Sequence, residues 1–160
     1  MPSTMQEKLC LLDLLCSLPD AERLELIRGL PPMEAEALLT DWSGLWARPE
    51  QRIPEWGWFV WLVMAGRGWG KTRTGAECVR SWVYEGRHAY INLIGATADD
   101  ARDIMIEGES GILAICPNVE RPRYLKGERK LAWPNGAQSL IFTADEPERL
   151  RGKHVAPHTL

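Results

Sequence analysis

The amino-acid sequence predicts an α/β fold, a parallel sheet flanked by helices and preceded by a helical extension. Two observations lead there. A continuous apolar run over residues 58–64 ends at a glycine-rich turn, and a helical pattern follows from Lys71 to about Tyr84. A second apolar run, Tyr90 to Ile94, comes next. Strand, turn, helix and strand in that order are the unit of parallel sheets, because parallel neighbours need a crossover and a helix supplies it. With 160 residues the chain has room for one modest domain and a small appendage.

The elements follow in order. Leu9, Leu11, Leu12, Leu14 and Leu15 form an apolar stripe that Pro19 ends. Asp20 is placed to cap a second helix carrying Leu24, Ile27 and Leu30, closed by Gly29 and the Pro31–Pro32 pair. A third helix is expected from Met33 to about Asp41, with Ala35, Leu38 and Leu39 on one face. Each is too short to stand alone and must pack on something. Residues 42–57 form a Trp- and Pro-rich connector, so the chain divides into a helical extension (1–41), the connector (42–57) and an α/β part (58–160). Downstream, Thr97 can cap a helix that starts at Ala98, with Asp99, Asp100 and Asp103 near its positive end. Residues 130–142 read as a hairpin about Asn135–Gly136.

Composition narrows the function classes. Apolar residues make up 45% and charged residues 26%, which suits a globular chain and argues against disorder. Residues 1–57 hold five Lys/Arg against ten Asp/Glu, and residues 58–160 hold fourteen against twelve. Neither part announces nucleic-acid binding through bulk charge. The four cysteines (Cys10, Cys16, Cys78, Cys116) make no CxxC pair and no zinc-finger spacing. The start has no basic n-region or cleavage site, and the longest uncharged apolar run falls far short of a membrane span. A soluble, intracellular protein is expected.

The chemistry centres on Ala65-Gly66-Arg67-Gly68-Trp69-Gly70-Lys71-Thr72, which fits the phosphate-binding P-loop with Ala in place of the first Gly. Gly66, Gly68 and Gly70 would let backbone N–H groups turn inward around phosphates where a Cβ would obstruct. Lys71 would supply a point charge to the β- and γ-phosphates of ATP, and the Thr72 hydroxyl would ligate Mg²⁺. Arg67 has two readings, neutralising charge at the γ-phosphate in the transition state or pairing with a surface carboxylate. Asp99, Asp100 and Asp103 are explained by a solvated first helical turn. His154 and His158 straddle Pro157 with no third ligand, which argues against a metal site. Five of the eight Trp crowd ahead of the loop, either as core or as a stacking surface for adenine.

AGRGWGKTRTGAE (65–77), with WLVM before it and RPEQ (48–51) upstream, resembles the large terminase subunit of tailed phages and gene-transfer particles. WPNGAQSLIFTADEPERLRG (133–152) is similar to the same family's hairpin and PxxLRG segment. The resemblance implies a P-loop ATPase of the additional-strand, helicase- or RecA-like class. It implies a motor that drives double-stranded DNA through a portal protein into procapsids, working with a small terminase subunit as a homo-oligomeric ring in the cytoplasm of the bacterial host. By carry-over, Lys71 and Thr72 bind phosphate and Mg²⁺, Arg67 is the loop arginine, Gln51 reads the adenine edge, and Arg151 reaches across to a neighbouring subunit. The family also has a strand ending in Asp-Glu and a C-terminal nuclease domain. Neither is found here, since Asp145 and Glu146 follow a hairpin strand and lead into a proline-containing loop. The expectation is an N-terminal piece of a longer protein that binds ATP weakly, does not turn it over, and leaves a sheet edge unpaired. The alternatives are a fragment of another P-loop ATPase, such as a helicase, or a short nucleotide-binding protein.

Overall fold

The computed structural model describes residues 16–54 and 57–150, in two compact units, Met1–Phe59 and Val60–Leu160. In the first unit, α1 (Asp20–Gly29) and α2 (Pro32–Thr40) are followed by a π-helical turn at Trp42–Trp46 and a 3-10 turn at Pro49–Gln51. The stripe from Leu9 to Leu15 lies outside the described residues. Asp20 is the first residue of α1 rather than its cap. Pro19 takes the cap position with no side-chain bond, and Asp20 pairs with Arg23 at 3.2 Å. Leu39 does not share the covered face of α2. Ala35 and Leu38 are half-buried, while Leu39, about 100° further round the helix, is 67% exposed. The indole of Trp46 donates to the Leu38 carbonyl at 2.8 Å, and that of Trp58 to the Pro54 carbonyl at 3.0 Å. Both rings are exposed, so these two tryptophans are held by hydrogen bonds rather than sunk in a core.

The second unit holds α3 (Lys71–Tyr84), β1 (Tyr90–Gly95) and α4 (Ala98–Asp100, continued by π-helical turns at Ala101–Ile106). It continues with α5 (Ile112–Ile115), β2 (Arg123–Leu125), β3 (Lys130–Ala132) and β4 (Gln138–Thr143). The sheet order is β1-β4-β3-β2. β1 and β4 run parallel, whereas β3 is antiparallel to both β2 and β4, so the sheet is mixed and not parallel as the sequence suggested. The hairpin is the reason. Its turn folds β4 back along β3, and the long excursion from residue 96 to 137 lets β4 lie parallel to β1.

Residues 58–64 form no strand. No described strand pairs with them, and most of their side chains face solvent: Phe59 is 99% and Met64 85% exposed, while Trp61 and Val63 are half-buried. An apolar run marks a segment that gains by burial, but a strand exists only where a neighbour completes its ladder. Beside β1 that neighbour is β4.

Local signals fix the rest. Thr97 Oγ1 accepts from Asp100 N at 3.1 Å, capping α4. Gly136 takes φ 89°, and Asn135 Oδ1 accepts from Ala137 N at 3.1 Å, closing the hairpin. The register places Leu93, Ile141, Ser139, Leu131 and Tyr124 on one face of the sheet. There Leu93, Leu131 and Ile141 meet Val83, Ala101, Ile106, Ile112 and Ile115 in the core. Gly95 lies on the same face, and a Cβ on it would come within 2.8 Å of Ala101 Cβ, so glycine lets α4 approach the strand. β1 is one of the sheet's two edge strands among the described residues, with Tyr90 and Ile94 exposed.

Candidate functional site

The loop predicted to bind phosphate leads directly into α3. Gly68 (φ 80°) and Gly70 (φ 93°, ψ 25°) adopt the left-handed conformation that glycine enters without steric cost. Gly66 does not, and a Cβ on it would meet open space, so the Cβ argument holds for two of the three glycines. Gly70 sits at the cap of α3, and its carbonyl accepts from Thr74 N at 2.9 Å. Lys71 and Thr72 therefore open a 14-residue helix, next to the unpaired N–H groups and positive end of its dipole.

Lys71 folds back over the turn. Its Nζ donates to the carbonyls of Ala65 and Gly66, both at 2.8 Å. Arg67 and Gly68 are exposed, while Trp69 and Thr72 are half-buried. The turn, the lysine and the threonine thus lie together at the start of α3. Gln51 belongs to the other unit, where it is buried and its Oε1 accepts from Arg48 N at 3.2 Å. Arg151, His154 and His158 lie outside the described residues. Among the described residues no group of His, Cys, Asp and Glu is arranged to hold a metal ion.

Sequence reasoning missed what anchors the loop's helix. Glu77, only 3% exposed, accepts from Arg73 at 2.7 and 2.8 Å and pairs with Arg80 at 3.3 Å. Arg80 in turn pairs with Glu120 at 2.5 Å, and Tyr84 donates its hydroxyl to the Glu120 carbonyl at 2.9 Å. Burial raises the Glu77 pKa, and the two arginines oppose that rise. The spacing Arg73–Glu77–Arg80 was a readable signal, since i, i+3 and i, i+4 partners meet on a helix. Its burial was not readable. Cys78 and Cys116 are buried thiols pushed up to about 12 by desolvation.

Asp145 and Glu146 follow β4. Glu146 accepts from Arg129 at 2.9 Å and Arg149 at 3.0 Å, and those bonds lower its pKa. This carboxylate links the turn after β4 to Arg129 at the entry to β3.

These features define a class: a small α/β domain with a mixed sheet, whose longest helix springs from an exposed glycine-rich turn ending in Lys-Thr. Residues 62–157 match the family model described as terminase large subunit, T4likevirus-type, N-terminal, and the chain belongs to that family. Comparisons with curated proteins and with solved structures gave no match. No helix among the described residues is long and apolar enough to cross a membrane.

Proposed function

We propose that this chain is the ATP-binding front part of a large terminase motor, of the additional-strand P-loop class, that drives double-stranded DNA into procapsids. The supporting observation is the turn itself: two left-handed glycines deliver Lys71 and Thr72 to the first turn of α3 in a chain of the terminase family. The residues fit a Mg²⁺-bound triphosphate. The turn is exposed, the helix start offers N–H donors to an anion, and the Lys71 ammonium is held by carbonyls that a phosphate can replace. When bound, ATP supplies the energy of its terminal phosphoanhydride. Lys71 would hold the phosphate oxygens, Thr72 would offer a hydroxyl to the metal, and Arg67 would neutralise charge on the terminal phosphate. The partners in this reading are double-stranded DNA, a portal protein and a small terminase subunit, met in the cytoplasm of a bacterial host by a ring of copies.

The test is ATP binding with Mg²⁺, followed by calorimetry and by Trp69 fluorescence. A charge-assisted hydrogen bond contributes about 1.5–3 kcal/mol, so Lys71→Ala should weaken binding roughly 10- to 150-fold. Equal affinity in the two proteins would remove the nucleotide reading.

A further inference from the structure

A concavity lies on the helix-covered face of the sheet, at the end where β1 and β4 finish. It measures about 240 Å³, and Arg102, Tyr124, Lys126, Arg129, Ile141 and Thr143 line it. The register explains its position. Gly95 and Thr143 are partners at the ends of the parallel pair. Ala101 seals the sheet against α4 at Gly95, and the space opens beyond, over β4. Arg129 enters β3 in the left-handed conformation (φ 49°), rare for a residue with a Cβ.

Two observations point to a ligand. Thr143 is 3% exposed, and its Oγ1 is buried with no hydrogen-bond partner among the described residues. A hydroxyl in that state costs about 1–3 kcal/mol relative to a satisfied one. The lining also carries three cations and no carboxylate. The acids that pair with those cations stand outside the lining: Asp99 and Asp103 on Arg102, Glu107 on Lys126, and Glu146 on Arg129. Their side chains are 35–78% exposed, and exposed pairs of this kind hold their partners by roughly 0–1 kcal/mol. An anion that accepts from all three cations at once, and from the Thr143 hydroxyl, can compete with such pairs. The volume falls below the roughly 300–1,000 Å³ that encloses a whole cofactor, so the ligand is a small oxyanion or one group of a larger molecule.

We infer that this concavity binds a single phosphate group, held by Arg102, Lys126 and Arg129 and completed by the Thr143 hydroxyl. The phosphate comes either from the backbone of duplex DNA, the substrate in the reading above, or from free inorganic phosphate. The position fits the general tendency of open α/β sheets to bind ligands beyond the carboxyl ends of parallel strands.

The experiment uses the whole chain carrying Lys71→Ala, so that the glycine-rich turn adds little. Amide shifts of Lys126, Arg129 and Thr143 are followed by NMR during titration with a short random-sequence duplex and, separately, with inorganic phosphate. Shifts with both probes assign free phosphate as a ligand, and shifts with the duplex alone assign the backbone. Lys126→Ala and Arg129→Ala should each weaken binding of the effective probe about tenfold, and each should lower the salt slope for duplex binding by about one. Arg149→Ala, which also removes a partner of Glu146 but lies outside the lining, should leave binding unchanged. Thr143→Val should weaken binding while raising the melting temperature of the free protein, and Thr143→Ser should restore binding. A residue that serves packing alone would not trade stability against affinity in that way. Absence of shifts with either probe at millimolar concentration overturns the inference, as does undiminished binding by Thr143→Val. The ATP test at Lys71 is independent, so either reading can fail without the other.

Discussion

Glu77→Ala tests whether buried charge pairing holds α3 in place. The substitution leaves the Arg73 and Arg80 guanidiniums without their shared carboxylate. Removing one partner of a fully buried pair costs about 3–5 kcal/mol. Arg73 is 29% exposed and regains water, and Arg80 keeps Glu120 at 2.5 Å. The expected loss is therefore about 2–3 kcal/mol, and for a unit of this size that lowers the melting temperature by roughly 8–24 °C. The pH dependence has a definite sign. The folded-state pKa of Glu77 is raised above its ordinary 4.5, mainly by burial. The unfolded chain thus ionises first, and stability from this group is present below 4.5 and lost as pH rises through the raised value. Glu77→Gln cannot titrate, so the advantage of wild type over Glu77→Gln should shrink with rising pH in that window and then level off. Melts of the three proteins between about pH 4 and 7 measure both effects. A Glu77→Ala melt superimposable on wild type, or a wild-type minus Glu77→Gln difference that grows with pH, would refute the reasoning.

Further outcomes follow from other sites. Gly95→Ala drives a Cβ to within 2.8 Å of Ala101 Cβ and 3.0 Å of its backbone N; a loss of about 1–3 kcal/mol should appear in urea denaturation. Trp133→Phe removes the bond from the indole to Ser139 Oγ, 3.0 Å in a buried setting, and opens a cavity. It should cost about 2–4 kcal/mol, part of which the added change Ser139→Ala should return. Thiol labelling near pH 8 should modify exposed Cys16 and spare Cys78 and Cys116, whose pKa values near 12 leave almost no thiolate. Mass spectrometry of the labelled peptides reads this directly.

What was legible in the sequence was local. The span of α3 follows from its amphipathic pattern between Gly70 and Gly86, and the Thr97 cap and the Asn135–Gly136 turn act within a few residues of themselves. The order of strands was not legible. It depends on which backbone meets which across more than forty residues, and an apolar run such as 58–64 looks the same whether or not a partner reaches it. The glycine-rich turn was visible because its chemistry is contiguous. The concavity over β4 was not: Arg102, Lys126, Arg129 and Thr143 come from α4, the turn after β2, the entry to β3 and the end of β4, and their charges vanish into a near-neutral average. The buried state of Glu77 was hidden for the same reason, because composition assigns a charged helical residue to the surface.

Asn135 does more than shape a turn. Its Nδ2 donates to the Val83 carbonyl at 3.0 Å, one residue before the end of α3, while Gly70 sets the beginning. The helix is thus gauged from both ends, like a shaft between two bearings. Each residue added to or removed from a helix turns everything beyond it by about 100°. An insertion or deletion inside 73–82 must therefore either break the Asn135 bond or turn the helix start, Lys71 and Thr72 with the glycine turn before them, to a different angle against the rest of the unit. The hairpin tip, far along the chain, thus bears on the angular phase of the first residues of the helix at its other end.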